Sequence, residues 1–334
     1  MTNPCHLLKE FNRYIENIAK MKINTQLFLF LVSSIVFVIL SNYFNISMFD
    51  NNDSDGFKSQ IFYASKIFNG ELDYDPLFFV HLVRLITIIP FYINNILGLP
   101  NYIESLGFIL YLIPFFKKKY LHIAGYLPCL FVFLPLFVSY RTVLGMLSMT
   151  YLFILLFCHI KSYSLLFFSA LLSNLSSGIV LSWIMVSLGS FFYLKKSYKY
   201  LLPLFLVIST GLIGSFINKF YFMFTTNGIK ENGNMIERSN IYISIIDGNY
   251  FRLFFYISLC LSLLFCIFTS LLINNKNIKD RLFIFFLSGI PAIFFEGLGL
   301  ISYLMCFLIF YKMFFKIEMK SYHAYHLKTS NKIN

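Results

Sequence analysis

Charge is scarce in this 334-residue chain: only 13% of its residues are Asp, Glu, Lys or Arg. Ordinary soluble domains carry about 25%, and a chain of this length cannot keep its apolar side chains from water with so few charges. No Walker loop, GxGxxG, HExxH or GxSxG motif occurs, so nucleotide-driven transport, Rossmann chemistry and zinc hydrolysis find no support. The six cysteines form no CxxC pair and no disulfide framework. Five of them, Cys129, Cys158, Cys260, Cys266 and Cys306, lie in apolar runs and read as small buried hydrophobes, while Cys5 lies in a basic N-terminal tail. No internal repeat is evident, and no metal or cofactor is expected.

What the chain has instead is apolar surface: 58% hydrophobic residues, 20% aromatic, and a mean hydropathy of +0.72. A membrane span needs about 20 apolar residues. Candidate runs lie at approximately 25–42, 77–98, 102–116, 121–138, 143–160, 162–174, 177–194, 201–217, 251–273, 282–295 and 298–315. The expected fold is all-α: a single polytopic membrane domain over 1–334. Residues 1–24 and 316–334 are cytoplasmic tails, 43–101 an outer loop with a membrane-dipping helix, and 218–250 a second outer loop. The first run lacks a small-residue cleavage site and reads as a retained signal anchor.

Charge distribution decides which runs cross. The net charge of +12 does not point to nucleic acid, because the basic residues cluster between apolar runs. If 77–98 dips without crossing, 19 of the 27 Lys and Arg residues are cytoplasmic, including Lys117-Lys118-Lys119 and Lys195-Lys196. If it crosses, these clusters face outward, against the positive-inside rule. That leaves about ten transmembrane helices and two cytoplasmic termini. His81, Arg84 and Pro90 fit a dipping segment, since ionisable side chains are costly against lipid. The acids are biased the other way: 11 of 15 fall outside, most in the two long loops. A functional site is therefore expected to face outward.

Several residues carry candidate chemistry. Asp53 and Asp55 are either solvated turn residues or a carboxylate cluster able to bind or deprotonate a hydroxyl. Asp75-Pro76 has the pattern of a helix start, with Asp as N-cap and Pro at the first position. His81 and Arg84 share a helix face. Arg84 either reaches to headgroup phosphates or binds a lipid pyrophosphate, whose oxygens match the guanidinium fork. Arg141 falls in the tight outer turn Phe137–Thr142, where Arg is unexpected unless something uses it. Asn174-Leu175-Ser176-Ser177 forms another outer turn. Arg238 stands in the second loop about ten residues from any span, whereas Arg252 has the position of an end-of-span anchor. Glu296 reads as a solvated turn residue.

These features occur in a recognisable order. An outer loop with Asp55-Gly56-Phe57 is followed by Asp75-Pro76 opening a helix with Leu82 and Leu85. A span then ends in Lys117-Lys118-Lys119, a hairpin carries Arg141 at its turn, and another carries Asn174-Leu175-Ser176-Ser177. Over approximately 45–200 this resembles the O-antigen and exopolysaccharide polymerases of the Wzy/EpsG-like type. Phe57, Asp75, Thr142 and Asn174 stand where that family has Tyr, Glu, Gln and His, and the last change removes that turn as a source of a general base.

The resemblance implies a GT-C-like glycosyltransferase architecture in the bacterial inner (cytoplasmic) membrane. It implies glycan donors and acceptors linked to undecaprenyl pyrophosphate, with a chain-length regulator and a flippase as expected partners alongside the lipid bilayer, and no nucleic acid. It also implies Asp55 and Asp75 as catalytic residues, and Arg84, Arg141, Arg238, Asn174 and His81 as substrate-binding ones. Two other classes remain open: a lipid-linked oligosaccharide flippase, and a membrane acyltransferase that would use His81, the one outer histidine.

Overall fold

The computed structural model describes residues 25–48, 66, 69–71, 78–116, 125–158, 163–193, 240–273, 276–293, 299–312 and 314. Among the described residues every regular element is helical and none is a strand. Asp55, Asp75, Arg238, Glu296 and the 201–217 run lie outside the described residues, as does the side chain of His81. The chain divides into two compact units, Met1–Val143 and Leu144–Asn334.

The first unit opens with α1, Thr25–Tyr43. This helix contains no charged residue, and its 19 residues extend about 28 Å. Its buried positions, Gln26, Phe30, Ser34, Phe37 and Ser41, recur every three or four residues and form one narrow stripe. Leu27, Phe28, Leu31, Ile35 and Ile39 are apolar and exposed. A helix that is apolar all round with only one stripe covered suits lipid on its remaining faces.

The expected segment 77–98 is two helices, α2 (Phe78–Thr87) and α3 (Ile89–Ile96). Pro90 explains the break: it has no N–H to donate, and its ring crowds the carbonyl four residues back. Neither piece exceeds about 15 Å, half the thickness of a hydrocarbon core. The α3 helix closes in a Schellman motif. Gly98 adopts φ +59°, Leu99 N–H donates to Asn94 O at 3.0 Å, and Gly98 N–H donates to Asn95 O at 3.2 Å.

Pro100 then caps α4, Asn101–Leu110, so the chain reverses in a few residues. At Gly107 a side-chain Cβ would meet Pro90 Cβ at 3.1 Å, so glycine allows α4 to lie close to α3. Pro114 and Pro135 end helical segments as short 3-10 turns at Ile113–Phe116 and Leu134–Leu136, the latter following α5 (Leu127–Phe133). The apolar runs around them therefore form helices shorter than the sequence alone suggests.

The helix α6 (Tyr140–Cys158) begins at the end of the first unit. The second unit also contains α7 (Tyr163–Ser173), α8 (Ser177–Tyr193), α9 (Asn240–Ile246), α10 (Tyr250–Leu272), α11 (Lys276–Leu287) and α12 (Leu300–Lys312). Its core is aromatic. Phe285 packs on Phe153 and Tyr303, and Phe286 on Phe307 and Phe310, with ring centroids 5.1–6.0 Å apart. Ser288 and Tyr303 share a hydrogen bond of 2.8 Å. Small residues allow close helix approach, as in membrane bundles: a Cβ on Gly189 of α8 would stand 2.6 Å from Ile284 Cγ2 of α11.

The α10 helix repeats the pattern of α1. Leu259, Leu263, Cys266 and Ser270 form its buried stripe, while Phe251, Phe254, Leu261, Leu264 and Phe268 are exposed. Among the described residues, α1 and α10 are the two helices long and apolar enough to cross a membrane. Neither is mostly buried, as a core helix of a soluble protein would be. Cys266 and Cys306 are buried free thiols, and Cys129 and Cys260 are partly exposed free thiols.

Candidate functional site

The polar residues of the first unit gather where α1 ends, α3 reverses into α4, and α6 begins. Glu104 lies in the first turn of α4, where the positive end of the helix dipole favours a carboxylate. It is 1% exposed. Its carboxylate accepts hydrogen bonds from Ser47 Oγ at 3.0 Å, from the backbone N–H of Met48, and from Asn94 Nδ2 at 3.5 Å. A buried carboxylate is tolerated when its oxygens are so occupied. Beside it Ser105 bonds to Ser41 of α1 and lies 3.4 Å from the Tyr140 hydroxyl.

Aromatic rings close the layer beneath. Phe91 stacks on Tyr111 at 5.9 Å and packs on Tyr140 at 5.4 Å, and Phe108 meets Tyr140 edge-on at 5.3 Å. The Tyr111 hydroxyl donates to the Thr87 carbonyl, which ties α4's end to α2. These contacts place the end of α2 beside the start of α6.

The Arg141 charge, 57 residues further along the chain, acts on Arg84. Burial first and the Arg141 charge second lower the pKa of the Arg84 guanidinium to about 10. Both arginines remain charged at neutral pH, and both are partly exposed. Sequence reading placed Arg141 in a turn. It occupies instead the first turn of α6, capped by Ser139, whose Oγ accepts from Thr142 N–H at 3.3 Å. A cation at a helix N-terminus works against the dipole. An arginine set against the helix dipole, within electrostatic range of a second arginine, raises the positive potential at the start of α6.

The residues directly before Arg141 in the chain line an open cleft of about 300 Å³. Its walls are the segment Ile46–Met48 after α1 and the turn Pro135–Tyr140. Ser47, Ser139 and Tyr140 are among its lining residues.

The remaining expected site residues have separate settings. Asn174, in the second unit, is fully buried, and its Nδ2 donates to Ala170 O at 3.0 Å and Leu171 O at 3.1 Å. It satisfies carbonyls at the end of α7, a capping role. Arg252 has the setting of an anchor: Asp247 lies 3.9 Å away, the Tyr256 ring 5.9 Å, and Asn249 caps the helix through Arg252 N–H at 3.0 Å.

Glu104, Asn94 and Tyr140 were not singled out from the sequence. The available signal was Glu104 itself, a carboxylate within an apolar run directly after the Gly98-Leu99-Pro100 reversal. Among the described residues no cluster of His, Cys, Asp and Glu could hold a metal ion. Comparison with known protein families, curated proteins and solved structures finds no match to this chain.

Proposed function

We propose that this protein is a polytopic inner-membrane glycosyltransferase that polymerises repeat units carried on undecaprenyl pyrophosphate, with its site on the outer face. The observation that carries the reading is the Arg141 charge in the first turn of α6 acting on Arg84. A lipid-linked pyrophosphate suits two such arginines, because its oxygens match guanidinium forks. The resemblance over 45–200 and the outward bias of the acidic residues support the same reading. So does the topology of about ten spans with α2 and α3 as a dip, since it leaves the lysine clusters cytoplasmic.

In the reaction, an acceptor hydroxyl oxygen forms a bond to the anomeric carbon of the donor glycan. The bond from that carbon to the pyrophosphate oxygen breaks, and its electron pair leaves on the lipid pyrophosphate. The arginines stabilise that departing charge. The hydroxyl proton passes to a carboxylate of the first outer loop, for which Asp55 is our candidate.

The test is the polymer ladder in a deletion strain complemented with each variant, with membrane abundance measured alongside. Arg141→Ala should collapse the ladder, with a loss of about 2–4 kcal/mol of transition-state stabilisation. Arg141→Lys should still impair it, because Lys keeps the charge but not the fork. A normal ladder from Arg141→Ala at normal abundance would refute the pyrophosphate role. The deletion strain also separates the classes: single repeat units left on the lipid mean a polymerase, and none at the outer face means a flippase.

A further inference from the structure

We propose that the cleft between Ile46–Met48 and Pro135–Tyr140 is a saccharide subsite, which seats a sugar ring of the lipid-linked glycan whose pyrophosphate the arginine pair holds. The proposal rests on the reading above and adds where the glycan is gripped.

Three observations carry it. The first is size: about 300 Å³ falls at the lower end of small-molecule sites, which run from about 300 to 1,000 Å³. The second is the state of the hydroxyls. Ser47 donates to the buried Glu104 carboxylate, Ser139 pairs with Thr142 Oγ1 at 3.0 Å and with its backbone N–H, and Tyr140 is held beside Ser105. The part-exposed Ser47 and Ser139 are therefore oriented before a ligand arrives, which lowers the ordering cost of binding. Sugar hydroxyls both donate and accept, so a wall of oriented hydroxyls suits them.

The third observation is Phe137, which lines the cleft at its rim and is 81% exposed. An aromatic face carries negative charge density, and the C–H face of a sugar ring packs on it favourably. An acyl chain would match the ring but not the hydroxyls. A phosphate would match the hydroxyls but not the ring. A sugar uses both, and Ser139-Tyr140 directly precedes Arg141 in the chain.

Binding to the full-length protein in nanodiscs tests this, with two probes. One is the lipid-linked repeat unit extracted from the deletion strain, and the other is undecaprenyl pyrophosphate without sugar. The wild type should bind the repeat-unit lipid about tenfold more tightly. Phe137→Ala and Ser47→Ala should each remove most of that preference and leave binding of the sugar-free lipid intact. Arg141→Ala should weaken both probes. Equal affinity of the wild type for the two probes, or a preference that survives both substitutions, would overturn the subsite and leave the pyrophosphate reading standing. Binding of neither probe by the wild type would overturn the proposed function and the subsite with it.

Discussion

Replacing Glu104 by Ala removes the acceptor that holds the segment after α1 against α4. Three donors point at that carboxylate, but they would not suffer equally. Ser47 can turn its hydroxyl elsewhere, and the Asn94 contact is long at 3.5 Å. The Met48 amide is fixed by the backbone and buried, so it loses its partner outright. An orphaned buried donor costs about 1–3 kcal/mol, and a hydrogen bond to a charged group contributes about 1.5–3 kcal/mol. We therefore expect local opening around Met48 to become easier by about 2–3 kcal/mol. Since about 1.4 kcal/mol is a factor of ten, amide exchange there should accelerate roughly 30- to 150-fold.

Glu104→Gln keeps an oxygen for the Met48 amide and loses only the charge. Its effect should be about 1 kcal/mol, less than tenfold in exchange. Hydrogen-exchange mass spectrometry on a peptide containing Met48, with the protein in nanodiscs, reads both variants directly. An unchanged Met48 exchange rate in folded Glu104→Ala would refute the anchoring role of Glu104.

Three further outcomes are expected. Gly189→Ala should destabilise the second unit by about 1–3 kcal/mol through overpacking against Ile284. Ile284→Ala, which removes the Cγ2 carbon at that contact, should cost less in the Gly189→Ala background than in the wild type in a thermal unfolding assay; equal stability of Gly189→Ala and wild type would show that the helices part freely. Arg84→Gln should raise the unfolding temperature of the ligand-free protein while lowering polymer yield. The folded state binds the Arg84 proton less tightly than the unfolded chain, so the penalty is full below about pH 10 and is relieved as pH rises past it; a lower unfolding temperature would contradict this. Topology reporters fused at Lys119 and Lys196 should read cytoplasmic, and those at Asp55 and Asn232 periplasmic. A periplasmic signal at Lys119 would restore a crossing segment at 77–98.

Arg84 and Arg141 were legible in the sequence because each stands in or beside an apolar run, where an ionisable side chain is costly. The end-of-span setting of Arg252 was legible for a related reason: a basic residue at the edge of a long apolar run has little else to do. The lengths of several helices were harder to read. Hydropathy does not register that Pro90, Pro114 and Pro135 interrupt runs that remain apolar on both sides. The grouping of Glu104 with Ser47 and Asn94 was not legible either, because it depends on α3 reversing into α4 and on α1 ending beside them. Asn174 read from position as a turn residue and from the resemblance as a substrate-binding one; its Nδ2 donates to the carbonyls of its own helix. A turn residue and a capping residue leave the same mark in one sequence.

The α6 and α7 helices are joined by an exchange of hydroxyls. Ser148 Oγ donates to Ser169 O at 2.7 Å, and Ser169 Oγ donates to Ser148 O at 2.6 Å, with both side chains fully buried. A slide of one helix past the other by a full turn, about 5.4 Å, breaks both bonds together, because each serine is donor and acceptor for the same neighbour. The pair acts as a mechanical key against shear between α6 and α7 within the second unit.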